Sequence, residues 1–76
     1  MPHVEIHHFP AELSEQARER LADNIVAAVV RTFGVPESAV SIGLVSVEKT
    51  QWTGRVYTPL ISDRPADTTL LRKPGY

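Results

Sequence analysis

The chain has 76 residues, no cysteine and a net charge of −1, from eight Lys and Arg against nine Asp and Glu. That length reads as one domain, residues 1–76, which buries only about 60–65% of its unfolded surface. Without cysteine there are no disulfides or thiolate metal sites, so association with further copies of the chain is the remaining way to complete a core. The interspersed charges exclude the basic face of a nucleic-acid binder, no apolar run approaches the ~20 residues of a membrane span, and the start lacks the basic and apolar blocks of a signal peptide. The expectation is a cytoplasmic oligomer with no nucleic-acid or membrane partner.

Residues 2–9 alternate as a strand, with Pro2, Val4, Ile6 and His8 on one face and His3, Glu5, His7 and Phe9 on the other. Proline is tolerated at the first strand position, where it need not donate to a ladder. Residues 14–33 follow as a helix. Ser14 is its N-cap, Ala17, Leu21, Ile25, Val29 and Phe33 form a stripe at a spacing of four, and Gly34 and Pro36 end it. Arg18, Glu19, Arg20, Asp23 and Asn24 fall mostly on its wet side.

Residues 39–48 read as a second strand that is apolar on both faces, with Val40, Ile42 and Leu44 against Val45 and Val47. One helix covers only one face, so a partner chain is expected on the other. Strand, helix, strand makes a βαβ unit with parallel strands and a right-handed crossover. Beyond it, residues 49–54 read as a loop and "RVYTPLI" as a short extended edge piece demoted by Pro59. "PADTTLLRK" reads as one or two helical turns. The fold class is α+β: a β-α-β protomer with two parallel strands, one main helix and an irregular or short-helical C-terminal segment.

The chemistry points to Pro2. Initiator methionine is normally removed before a small residue, which leaves Pro2 with a free secondary amine. An α-amino group titrates near 7.7–8.0, and burial in an apolar pocket lowers that value. The neutral amine can take a proton from a carbon beside a carbonyl and return it elsewhere, held rigidly by its own ring and by the strand. The histidines do not make a metal site. His7 and His8 face opposite sides, and His3 and His7 lie about 13 Å apart along the strand, too far to share a metal with bonds of ~2 Å.

Pro2 followed by "HVEIHHFP", the "LSEQ" helix start, the twenty-residue helix, "VPESAVSIGLVSV" and "QW" together resemble the 4-oxalocrotonate tautomerase superfamily. The ending "LLRKPGY" is similar to that of its short dimeric bacterial members of the phenylpyruvate type. The resemblance spans nearly the whole chain and is weakest across Gly54–Asp67. It implies a β-α-β protomer, a homodimer with a four-stranded core sheet (a hexamer as the alternative), no cofactor, and Pro2 as general base.

Two departures bear on the substrate. Members that act on dicarboxylates carry an arginine before the helix and another at the start of the second strand, where this chain has Glu12 and Ser41. A small monocarboxylate 2-oxo acid or enol, such as phenylenolpyruvate, is therefore expected. The family's aromatic after the second strand maps onto Trp52.

Parallel strands begin at one end, so Ser41 and Ile42 lie near Pro2. The far end of a strand of this length lies roughly 25 Å away, so Trp52 is expected to serve the Pro2 site of a partner chain. Arg55, just beyond, is the candidate to replace the missing cations, and Ser41 can donate a hydrogen bond to a substrate oxygen. The candidate residues are thus Pro2 for catalysis and Trp52, Arg55, Ser41 and Ile42 for substrate binding. The competing readings are a non-catalytic interaction module of the same fold, and a hydratase or dehalogenase that uses protonated Pro2 as an acid.

Overall fold

The computed structural model describes all 76 residues. Two six-residue strands, β1 (His3–His8) and β2 (Ser41–Ser46), flank a 19-residue helix, α1 (Glu15–Phe33). The strands pair in parallel, with His3 opposite Ser41, Val4 opposite Ile42, Glu5 opposite Gly43 and Ile6 opposite Leu44. Both are shorter than the alternation suggests. β2 starts late because Glu37–Ala39 closes a 3₁₀ turn, in which the Val40 N–H bonds the Glu37 carbonyl.

The ends of α1 follow from their side chains. Ser14 Oγ accepts the Ala17 N–H at 3.0 Å, which satisfies one of the orphan donors of the first turn. Gly34 takes the left-handed conformation at φ 65° and returns its N–H to the Val30 carbonyl, a geometry that a residue with a Cβ resists. The stripe from Ala17 through Leu21, Ile25 and Val29 is half-buried, whereas Phe33 is 67% exposed. Arg18, Leu21 and Ala22 share a groove with Ile42 and Leu44, so α1 lies along the even-numbered face of the strands. The odd-numbered face carries His3, Glu5 and His7 beside Ser41, Gly43 and Val45.

The chain divides into two compact units, Met1–Ser46 and Val47–Tyr76. In the second unit the structure corrects the expected loop and extended edge. Lys49–Gln51 is a 3₁₀ turn, and Thr53–Ser62 is a π-helix with Pro59 inside it. The cause is the spacing of Val56, Tyr57, Leu60 and Ile61, which is helical and places Val56 in the interior. That pattern outweighs the strand preference of Val, Tyr and Thr.

Pro59 has no N–H to give and crowds the carbonyl four residues back. The wider winding relieves this, and the Asp63 N–H bonds the Thr58 carbonyl, five residues back, at 2.8 Å. Arg64 Nη1 donates to the Leu60 carbonyl at 2.8 Å and so serves the end of the helix. "PADTTLLRK" forms no helix. It contains one turn, in which the Thr68 N–H and hydroxyl both donate to the Pro65 carbonyl.

Candidate active site

Pro2 is held where the two strands begin. Its carbonyl accepts the Ser41 N–H at 3.2 Å, extending the ladder one step beyond β1. A proline here sacrifices no ladder bond, because its nitrogen lies on the outer side of that step. Pro2 is half-buried, and Met1 in front of it is fully exposed.

Ser41 and Ile42 are consecutive in β2 and so take opposite faces. Ser41 Oγ lies 2.6 Å from His3 Nδ1, and His3 Nε2 lies 3.7 Å from Glu5 Oε1. Glu5 reaches this position because its β2 neighbour is Gly43: a Cβ there would collide with the Glu5 carboxylate. Ile42 looks the other way, into the open groove of about 190 Å³ that it shares with Leu44, Arg18, Leu21 and Ala22. The structure thus joins Pro2 and Ser41 through their backbones, with the Ser41 side chain on the His3 face and Ile42 on the opposite face, which Val4 and Pro2 share.

Two features escaped sequence reasoning. Arg18 is exposed, as its place on the wet side of the helix suggests, and it also borders the Ile42 groove; its place three and four residues before Leu21 and Ala22 is the signal for that second position. The His3–Ser41 contact joins residues 38 positions apart, and nothing local in the sequence announces it.

In the second unit Trp52 and Arg55 lie about one helical turn apart. Trp52 Nε1 donates to the Tyr76 hydroxyl at 3.1 Å, and Arg55 Nη1 donates to Gln51 Oε1 at 3.2 Å. The rings of Tyr57 and Tyr76 stand 5.7 Å apart, and the Tyr57 hydroxyl donates to the Tyr76 carbonyl at 3.5 Å. Trp52 therefore belongs to an aromatic cluster built partly from the chain's last residue.

A family model described as "Tautomerase enzyme" matches residues 2–53. The chain belongs to the tautomerase family. Curated relatives named Tautomerase PptA align with all 76 residues and with 97% of their own length: 40% identity for the protein of Klebsiella pneumoniae (strain 342), 38% for that of Cronobacter sakazakii and 34% for that of Pectobacterium carotovorum. The activity is that of an isomerase. The family match starts at Pro2 and runs through both strands, α1 and Trp52. No helix is long and apolar enough to cross a membrane.

Proposed function

We propose that this tautomerase interconverts the keto and enol forms of a small monocarboxylate 2-oxo acid, with phenylenolpyruvate as the model substrate and Pro2 as general base once Met1 is removed. The observation that carries the reading is the placement of Pro2. It is the first residue of the family match, its carbonyl is pinned to β2, and the methionine before it is fully exposed to an aminopeptidase. Removal frees a secondary amine at the end of the sheet, on a residue that is half-buried. The neutral amine takes the enol hydroxyl proton and returns a proton to the adjacent carbon. Ser41 donates to a substrate oxygen, and Ile42 supplies apolar contact.

The same reading makes the enzyme a homodimer, a single functional domain per chain, with Trp52 and Arg55 of one protomer serving the Pro2 site of the other. The exposed area supports association. Only Val47 and Val56 are buried, while Phe33, Leu44 and Leu71 remain exposed.

The family resemblance implies that Ser41 and Glu12 stand where dicarboxylate-using members carry arginine. Each missing charge-assisted contact removes about 1.5–3 kcal/mol, or roughly ten- to a hundredfold in rate, so 2-hydroxymuconate is expected to be the poorer substrate. The test compares ketonisation of phenylenolpyruvate by Met1-processed protein and by protein whose terminus is acetylated. Activity is expected only with the free amine, rising with pH as the ammonium loses its proton. Equal rates in the blocked protein, or a preference for the dicarboxylate, overturn the assignment.

A further inference from the structure

The odd-numbered face holds a group that the tautomerase reading above does not use. Three polar side chains from two strands converge there: Glu5 over Gly43, His3 beside Glu5, and Ser41 against His3. One imidazole is engaged at both nitrogens, 2.6 Å from Ser41 Oγ and 3.7 Å from Glu5 Oε1. Ser41 in turn bonds Pro2 through its backbone N–H.

We propose that His3 is a positioning residue that makes the Ser41 hydroxyl a donor for the substrate carboxylate, in place of the missing arginine. The inference rests on the reading of Pro2 and Ser41 as the active-site end of the sheet. A serine hydroxyl has one proton and two lone pairs, and the proton rotates to suit its partners. If His3 carries its proton only on Nε2, toward Glu5, then Nδ1 takes the Ser41 proton, and Ser41 presents only lone pairs to an incoming anion. If both ring nitrogens are protonated, Nδ1–H donates to Ser41 Oγ, and the Ser41 O–H turns outward as a donor. An anionic ligand at Ser41 selects this second arrangement, which also places a positive charge one residue from the carboxylate. Glu5 faces the Nε2–H and balances that charge, and Gly43 is the residue that makes room for it.

A double-mutant cycle tests the coupling. His3→Ala and Ser41→Ala are each expected to raise KM for phenylenolpyruvate about tenfold, the lower end for loss of a charge-assisted hydrogen bond, with a smaller effect on kcat. The double variant should be no worse than either single one. His3→Asn, whose amide nitrogen falls near the place of Nδ1, should recover much of the loss, whereas His3→Gln, which reaches toward Glu5 instead, should not. With an enol that lacks a carboxylate, the rise in KM caused by His3→Ala should be smaller than with phenylenolpyruvate.

In the unsubstituted protein, nitrogen NMR of His3 with phenylpropanoate as a non-reacting probe should show Nδ1 gaining a proton on binding. Multiplicative losses in the double variant, equal KM values for the Asn and Ala variants, or an Nδ1 that stays unprotonated with the probe overturn the inference. The acetylated-terminus experiment separates the two readings. If acetylation abolishes activity but the cycle is multiplicative, only the role of His3 falls; if acetylation has no effect, the role of Pro2 falls.

Discussion

Replacing Gly43 by alanine puts a methyl group into space that the Glu5 carboxylate occupies. The obstructing atoms are the far end of a flexible side chain that is 42% exposed, so Glu5 can swing into solvent without moving either strand. Two contributions decide the outcome. The His3–Glu5 pair is lost, but both side chains are more than a third exposed and lie 3.7 Å apart, so screening holds its worth to a few tenths of a kcal/mol. Alanine restricts the unfolded chain and contributes about 0.4–1 kcal/mol where the native backbone admits it. The backbone at Gly43 does admit it, because Gly34 alone has a positive φ.

The net expectation for Gly43→Ala is a stability change between about zero and 1 kcal/mol in favour of the variant. Urea unfolding followed by fluorescence of Trp52, the sole tryptophan, measures it at fixed protein concentration, since association shifts the midpoint. About 1 M salt should weaken the parent by a few tenths of a kcal/mol and leave this part of the variant's stability unchanged. Destabilisation beyond about 1.5 kcal/mol, more than an exposed ion pair is worth, would refute the reasoning, because it would mean that the methyl strikes something that cannot move. Because the His3–Ser41 contact survives the substitution, kcat/KM should fall less than in His3→Ala.

Ser14→Ala removes the α1 cap and should cost about 1 kcal/mol, which for a domain of this size lowers Tm by roughly 4–8 °C; an unchanged melt by circular dichroism would discount the cap. Tyr76→Phe removes the acceptor of the Trp52 indole N–H and should shift Trp52 emission while leaving the helical signal of α1 intact; an identical spectrum would place the indole elsewhere. On the proposed shared-site dimer, chains carrying Pro2→Ala mixed with chains carrying Trp52→Ala should regain activity above either parent, because one site of each mixed pair would have both residues. A mixture no better than its parents would refute the shared site.

The order strand, helix, strand and both ends of α1 were legible in the sequence, because they are set by local chemistry. Alternation marks a strand, a spacing of four marks a helix, and Ser14 and Gly34 satisfy backbone groups only a few residues away. Pro2 stood out for the same reason, since the role proposed for it depends on its place in the chain.

The segment Thr53–Ser62 was misread because its β-branched and aromatic residues and Pro59 all argue locally for an extended edge. Only packing shows that Val56, Tyr57, Leu60 and Ile61 form one helical face, wound widely enough to accept the proline. The Arg18 groove and the Glu5–His3–Ser41 group likewise needed the tertiary structure. The groove depends on how α1 settles on β2, and the polar group depends on the parallel register that sets His3 beside Ser41 and Glu5 beside Gly43. A one-residue slip in that register would send Ser41 to the other face. Local sequence specifies each strand, but the register between strands is a property of the whole packed unit.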